Sequence, residues 1–233
     1  MSTNNKCCVL SRFERKRKDG TILKLRIQHA PSELLGDVLE FNMKYFTADE
    51  TFQRTAGILS NPEAMLEFRT VVKEEAKKWS FVICCRDNDS NSVEEILGVS
   101  AVVLVTGDVE EDFKFQTKEM QTLFNILMET EELSKSLKKE FGVYYEGRGI
   151  IVHPQYRGLG IASEFIKLRR LLINDQNVKV TCAWMTSYGS QKAAERDNWE
   201  TVLEVTAEEL GQRCGVVFKD PPSTFKLMLA RSS

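Results

Sequence analysis

Residues 150–162 read Ile-Ile-Val-His-Pro-Gln-Tyr-Arg-Gly-Leu-Gly-Ile-Ala, and this stretch decides the fold of the 233-residue chain. Its first apolar residues predict the end of a strand, which His153-Pro154 stops. A turn with two glycines then opens a helix, which we expect to run from Gly158 to Ile173. Glycines let an anion approach the main chain because they carry no Cβ, and the first amides of a helix are unpaired and lie at its positive end. The stretch therefore predicts a diphosphate cradle.

Two other phosphate-binding motifs use glycines in a similar way. A P-loop needs a Lys-Ser or Lys-Thr pair after its last glycine, and none is present here, so this motif is excluded. A dinucleotide fold needs Gly-x-Gly-x-x-Gly in an early strand–helix–strand unit. Gly158, Gly160 and Ser163 imitate that spacing imperfectly and come late in the chain. A glycine-rich helix start without a ligand is the remaining alternative.

The elements on either side of this stretch predict the architecture. We expect strands at Cys8–Phe13, Thr21–His29, Phe81–Cys85, Ile96–Val105, Tyr144–Val152, Val178–Trp184, Thr201–Val205 and Thr224–Leu229. Helical patterns run from Pro31 to Met43, from Pro62 to about Lys78, from Phe113 to Phe141 and from Ser187 to Asn198, besides the helix after Gly158. No linker divides the chain. The prediction is one α/β (α+β) domain over residues 1–233, with a mixed, mostly antiparallel sheet flanked by helices.

Composition excludes several classes of partner. The 32 Lys and Arg residues are balanced by 34 Asp and Glu residues, so a net charge of −2 provides no overall field for nucleic acid. The longest apolar run, Val99–Val105, is too short to span a membrane, and Met1–Lys18 lacks the apolar stretch of a signal peptide. Six cysteines without a Cys-x-x-Cys spacing indicate reduced thiols and no metal site. We expect a cytoplasmic protein, and its oligomeric state is not specified.

The sequence from Val152 to Ala162 closely resembles the coenzyme A motif of the GNAT acetyltransferase superfamily, Arg/Gln-x-x-Gly-x-Gly/Ala. Arg157–Ala162 fits this motif, Gln155–Gly160 fits it when shifted by two residues, and Pro154 favours the first alignment. The resemblance implies a GNAT fold, with a coenzyme-binding core at about 143–199 and acetyl-CoA as the acetyl donor. It assigns coenzyme binding to Ile151, Val152, Arg157, Gly158, Leu159, Gly160, Ile161 and Ala162.

A narrower resemblance, over roughly Leu23 to Leu229, is to insect arylalkylamine N-acetyltransferases such as those acting on dopamine. In that group an aromatic-rich segment carries Asp-Glu-Pro, and here residues 45–51 read Tyr-Phe-Thr-Ala-Asp-Glu-Thr, with Thr51 in place of the proline. The group also has a serine-rich turn, which corresponds to Met185–Ser190. The resemblance implies acetyl transfer to the primary amine of a small arylalkylamine by direct attack in a ternary complex.

The same resemblance assigns catalytic roles. Glu50 would take the amine proton, while Asp49 would be structural. The main-chain amides of Ile151 and Val152 would stabilise the oxyanion, and the hydroxyls of Thr186 and Ser190 are candidates for protonating the departing thiolate.

Several alternatives stay open at this stage. The chain could acetylate polyamines or protein lysines, or it could bind coenzyme A without catalysis. Ser187 or Thr186 could simply cap a helix, and we expect His153 to be a solvated turn residue. The basic run Arg15–Lys18 fits an exposed hairpin tip better than a nuclear signal. Four residues could line an amine pocket or pack in the core: Phe46, Phe52, Trp184 and Met185.

Overall fold

The computed structural model describes residues 9–88, 92–107, 114–175 and 178–232. The eight strands are β1 (Val9–Lys16), β2 (Ile22–His29), β3 (Trp79–Arg86), β4 (Gly98–Val105), β5 (Tyr144–Val152), β6 (Val180–Met185), β7 (Glu200–Thr206) and β8 (Thr224–Arg231). Each predicted strand is present; the ends of β5 are as predicted, and the other strands differ by a few residues at one or both ends. Cys8 and Phe113, the predicted starts of the first strand and of the long helical pattern, lie outside the described ranges, as does Cys7, one of the predicted reduced thiols.

The strands form one sheet in the order β1-β2-β3-β4-β5-β6-β8-β7. Neighbouring strands are antiparallel except β5 and β6, which are parallel. The mixed, mostly antiparallel sheet predicted from the sequence is therefore confirmed. The single parallel pair follows from the glycine turn, because a strand that returns through a helix re-enters the sheet in the same direction.

Eight α-helices surround the sheet in the described ranges. They are α1 (Leu35–Phe41), α2 (Thr47–Asp49), α3 (Thr51–Ala56), α4 (Pro62–Glu75), α5 (Lys118–Phe141), α6 (Ile161–Asp175), α7 (Tyr188–Arg196) and α8 (Ala207–Cys214). A π-helical turn, Asn42–Phe46, joins α1 to α2. Asn61, which comes directly before Pro62, caps α4: its side chain accepts from the Glu63 amide. None of the helices in the described ranges is long and apolar enough to cross a membrane.

Apolar side chains from alternate strand positions bury both faces of the sheet. On one face, Val82 and Cys84 pack with Phe165 of α6, and Ala183 and Met185 pack with α7. On the other face, residues of β3 and β4 pack against α1, while α3, α4, α5 and α8 enclose a separate cluster with β7 and β8. Leu159 and Ile161 belong to the first of these clusters, so the glycine turn at the start of α6 is held against that face of the sheet.

Three local expectations differ from the structure. The helical pattern expected to stop at Met43 continues through the π-turn and α2, and neither α3 nor α8 was predicted. In β2 the apolar residues Leu23, Leu25 and Ile27 alternate with Lys24 and Arg26, which predicts a half-exposed strand. Lys24 is exposed, but Arg26 is buried and donates to the Gln28 side chain and to the Ser92 carbonyl. Polar partners from the neighbouring loop thus cover the second face of this strand.

Candidate functional site

The glycine turn lies between the end of β5 and the start of α6. A short 3-10 turn, Pro154–Tyr156, follows β5, and Gly158 and Gly160 both have positive φ angles, of 77° and 75°. Residues with a Cβ rarely adopt this backbone conformation, so both positions require glycine. A Cβ on Gly158 would meet no atom within 4 Å, which leaves the main chain open to a ligand. The turn therefore has the accessibility that a diphosphate needs.

Strand β5 leaves its parallel neighbour shortly before the turn. Within the described ranges β5 pairs with β6 only at Tyr145–Thr181 and Glu146–Cys182. Ile151 and Val152 lie several residues beyond the last of these pairs, where β5 remains paired with β4. The other edge of β5 is thus not covered by the sheet here, and it carries main-chain groups available to a bound molecule.

Glu50 lies at the amino end of α3 and has two hydrogen-bond donors. The Gln53 amide donates to its Oε2 atom at 2.9 Å, so Glu50 caps the helix, and the Thr186 hydroxyl donates to Oε1 at 2.8 Å. Burial raises the pKa of Glu50 above its usual value, although these hydrogen bonds oppose the shift. A carboxylate with a raised pKa is a better proton acceptor than an ordinary surface glutamate.

Thr51, which replaces the proline of the resembled group, connects the same two segments. Its hydroxyl donates to the Thr186 carbonyl at 2.8 Å. Thr51 is the first residue of α3, a position where proline is also favoured because the amide there needs no helical partner. The replacement therefore keeps the helix start and adds a contact to the turn before α7.

The coenzyme motif contacts the Asp-Glu segment from the other side. The Arg157 guanidinium pairs with the Asp49 carboxylate and donates to the Val152 carbonyl at 3.2 Å. The Phe46 ring lies against Gly149 of β5, where a Cβ would come within 3.1 Å of it. The three segments singled out in the sequence, residues 45–51, 150–162 and 185–190, therefore meet at one place.

Ser187 and Ser190 form the start of α7. The Ser190 amide donates to the Ser187 hydroxyl at 3.2 Å, and the Ser190 hydroxyl donates to the Ser187 carbonyl at 2.9 Å. Ser187 therefore caps the helix, as one alternative held. The contacts of the Ser190 hydroxyl lie within this cap, whereas Thr186 is the hydroxyl that reaches Glu50.

His153 lies in the turn after β5, as expected, and its side chain is partly exposed. Its ring also packs among aromatic rings, with centroids 4.8 Å from Tyr45 and 5.6 Å from Tyr156, and its Nδ1 atom accepts from the Gln155 amide. Phe52 and Met185 are buried in separate core clusters, which supports the core-packing alternative for both residues. Phe46 and Trp184 remain partly accessible.

Arg169 of α6 was not predicted, yet it supports the site. It is buried and donates to the Ser100 hydroxyl and to the Ala101 and Gly149 carbonyls. Burial lowers its pKa to about 10. These bonds hold the middle of β5 where it leaves β6. The available signal was an arginine on the apolar stripe of α6, four residues after Phe165.

No protein-family model matches the chain, and no curated protein matches its sequence. Solved structures do match. An insect putative arylalkylamine N-acetyltransferase 7 from the yellow fever mosquito Aedes aegypti is 23% identical with a TM-score of 0.81, covering 97% of this chain and 95% of that one. Arylalkylamine N-acetyltransferase 2 from the same mosquito is 20% identical with a TM-score of 0.69, covering 90% and 99%.

A third solved structure is named for a different amine. Drosophila melanogaster polyamine N-acetyltransferase, described as forming N-acetylagmatine, is 10% identical with a TM-score of 0.64, covering 89% of this chain and 99% of that one. At these identities the similarity establishes the fold. The fold implied by the resemblance of residues 152–162 is therefore confirmed.

Proposed function

We propose that the chain is an N-acetyltransferase that uses acetyl-CoA as the acetyl donor and a small primary amine as the acceptor. The observation that carries this proposal is the meeting of three segments, in which the Glu50 carboxylate and the Thr186 hydroxyl lie 2.8 Å apart beside the glycine turn. A coenzyme cradle and a proton acceptor with a raised pKa are the two parts that acetyl transfer to an amine requires.

Coenzyme binding is assigned to the turn and to the start of α6. Gly158 and Gly160 expose the main chain, and the helix that begins at Ile161 presents unpaired amides and a positive dipole end to the diphosphate. Leu159 and Ala162 would contribute through their main chain. Arg157 holds the turn beside Asp49, so its role is to fix the cradle as well as to add charge.

The reaction requires a neutral amine, because an ammonium group has no lone pair. An alkylamine has a pKa near that of lysine, so it arrives mostly protonated at neutral pH. Glu50 accepts a proton from it, directly or through a water molecule. The amine nitrogen then bonds to the thioester carbonyl carbon, the carbon–sulfur bond breaks, and the nitrogen loses its second proton to water to give the neutral amide.

The remaining steps stabilise charge on oxygen and on sulfur. Main-chain amides of Ile151 and Val152 are the proposed donors to the oxyanion. Val152 is the stronger candidate: the His153 amide bonds to the Leu97 carbonyl on the β4 side, and the amide of the residue before it points to the opposite side of the strand. The thiolate takes a proton as it leaves, and Thr186 and Ser190 are the proposed donors. Thr186 is the stronger candidate, because its hydroxyl contacts Glu50, which can return the proton it has accepted.

Arylalkylamines are the proposed acceptor class, and polyamines are the second candidate. The resemblance of residues 45–51 and 185–190 to the insect arylalkylamine group supports the first class. The fold shared with a fly polyamine N-acetyltransferase is the reason that polyamines are the second candidate class. Protein lysines are a third possible acceptor, and coenzyme binding without catalysis is the alternative of a different kind.

The test is a panel of amines with acetyl-CoA, following release of the thiol. An arylalkylamine, a polyamine and a lysine-containing peptide would represent the three acceptor classes. We expect turnover to be fastest with the arylalkylamine. Coenzyme binding without turnover on any amine would support the alternative of a protein that binds coenzyme A without catalysis. Folded protein that does not bind coenzyme A would refute the whole proposal.

A further inference from the structure

The basic run Arg15–Lys18 at the sheet edge is not used by the proposed reaction, but part of it contacts the glycine turn. Strand β1 carries Arg15, whose Nε atom donates to the Leu159 carbonyl at 2.9 Å. The guanidinium group of Arg17 lies over the Tyr156 ring, 5.1 Å from its centroid. The hairpin formed by β1 and β2 therefore lies beside the proposed coenzyme cradle.

Arg15 is held in place by several contacts at once. Its Nη2 atom donates to the Glu164 carboxylate at 2.6 Å, its Nη1 atom donates to the Glu14 carbonyl, and its guanidinium carbon lies 4.8 Å above the Phe13 ring. The rigid fork of donors in arginine can bind two acceptors in fixed directions, which a lysine cannot do. Arg15 thereby links the residue before Gly160 to the first turn of α6.

Arg15 packs directly against Gly160, at a place that only a glycine leaves free. A Cβ on Gly160 would lie 3.2 Å from the Arg15 Nε atom, so the glycine leaves room for the guanidinium group as well as adopting a positive φ. Two glycines within three residues make the free turn flexible, and fixing it costs conformational entropy. A side chain that holds the Leu159 carbonyl removes part of this cost before the coenzyme binds.

Arg15 also balances the charge of Glu164. The Glu164 side chain is only 12% exposed and lies in the first turn of α6, where an unbalanced carboxylate would repel a diphosphate. Lys167 also contacts it, at 3.2 Å, but with a more exposed side chain. Arg157 forms its own contacts elsewhere, with Asp49 and the Val152 carbonyl.

We propose that Arg15 is a positioning residue for the coenzyme, which clamps the glycine turn through the Leu159 carbonyl and the Glu164 carboxylate. The inference rests on the proposed coenzyme binding at this turn. The clamp acts through the hydrogen-bonding fork of the guanidinium group, and not through direct contact with the 3′-phosphate of coenzyme A.

The experiment is calorimetric titration of the full chain with coenzyme A and with dephospho-coenzyme A. We expect Arg15→Ala to weaken binding of both by roughly tenfold to a hundredfold, the range of a hydrogen bond to a charged group. Arg15→Lys, which keeps the charge and the strand, should recover little of the loss. Arg12→Ala is the matched control, because Arg12 lies on the same strand, is well exposed and pairs with Asp87.

Each other outcome has a definite meaning. If Arg15→Ala binds as tightly as the unchanged protein, or Arg15→Lys restores full affinity, the clamp is refuted. A loss seen with coenzyme A but absent with dephospho-coenzyme A would replace the clamp by direct phosphate recognition. If Arg15→Ala fails to fold, the Arg15→Lys result decides. Failure of the unchanged, folded protein to bind coenzyme A would instead refute the proposed function.

Discussion

The Thr186 hydroxyl donates a hydrogen bond of 2.8 Å to the Glu50 carboxylate, across 136 positions of sequence. This bond stabilises the charged form of a carboxylate whose pKa burial raises. Thr186 also accepts, through its carbonyl, from the Thr51 hydroxyl. The turn before α7 and the start of α3 are therefore joined by two bonds, and the properties of Glu50 depend on both segments.

Glu50→Gln should lower the rate of acetyl transfer by tens- to thousands-fold, because the amide cannot accept the amine proton. The glutamine keeps a side-chain oxygen that can accept from the Gln53 amide, so the cap of α3 should be retained. Thiol release measures the rate, and calorimetry with coenzyme A should give unchanged affinity.

The matched control for Glu50→Gln is Asp49→Asn, the neighbouring carboxylate that pairs with Arg157. We expect this change to affect coenzyme affinity more than the rate at saturating coenzyme. Undiminished turnover in Glu50→Gln would remove Glu50 from the mechanism.

The rate should depend on pH through Glu50. Because burial raises its pKa above the 4.5 of an ordinary glutamate, the rate should rise with pH along an acid limb above that value. The same raised pKa affects the stability of the fold. The contribution of Glu50 to the free energy of unfolding is complete below the pKa that Glu50 has in the unfolded chain, and it is lost as pH rises through the pKa in the folded protein. Deprotonation of the free amine gives a separate limb near pH ~10. A profile of kcat/KM whose acid limb persists in Glu50→Gln would assign that limb to another group.

In the unchanged protein, the hydrogen bond from the Thr186 hydroxyl lowers the pKa of Glu50. Thr186→Val removes this bond, so the pKa of Glu50 should rise and the acid limb should move to higher pH. Thr186→Ser keeps a hydroxyl and is the control, in which the limb should stay near its original position. The rate on the plateau above the acid limb tests whether Thr186 also protonates the departing thiolate. If it does, the plateau rate should fall in Thr186→Val alone. An equal plateau rate in both variants would exclude that role.

Local parts of this fold could be predicted from the sequence, because their signals lie within a few residues. The boundaries of β5 were predicted as observed, and the α6 start differs by three residues, since β-branched residues, a proline and two glycines determine this stretch. The Asn61 cap is likewise a local signal. The short helices α3 and α8 were missed because six or eight residues are too few for a clear period.

Contacts distant in sequence could not be predicted in the same way. Thr51 and Thr186, or Arg15 and Leu159, lie on segments more than a hundred residues apart, which only the folded chain brings together. The resemblance placed Glu50 and Thr186 in one site but offered no reason for Thr51, whose role depends on the Thr186 carbonyl. The burial of Arg26 depends on the loop that contains Ser92, and the ring contacts of His153 depend on Tyr45, so no pattern within the strands themselves indicated either feature.

Gly158→Ala should weaken binding of coenzyme A, because a Cβ disfavours the positive φ of 77° by roughly 1–2 kcal/mol and narrows access to the main chain. Gly215→Ala is the matched control. Gly215 has a similar φ of 67°, ends α8 and has open space at its Cβ position, so it should lose comparable stability without losing coenzyme affinity. Denaturant unfolding and calorimetry separate the two effects, and equal affinities in the two variants would count against the cradle.

The last prediction concerns the attachment of α5 to β5, at the residue where β5 leaves β6. Lys138 of α5 contacts Glu146 of β5 at 2.5 Å, and both side chains are less than a tenth exposed. Burial alone would lower the pKa of Lys138, but the carboxylates of Glu146 and Glu131 outweigh it and raise the pKa, so the lysine stays charged.

Lys138→Met should therefore destabilise the protein by on the order of 3 kcal/mol, because Glu146 stays buried with Arg148 as its remaining partner. Lys135→Met is the control on the same helix: its pair with Glu132 is exposed, and its loss should cost less than about 1 kcal/mol. Urea unfolding measures both changes. If the two variants lose the same stability, then the buried pair does not fasten α5 to the sheet, and the packing of Phe141 on Tyr144 must do so instead.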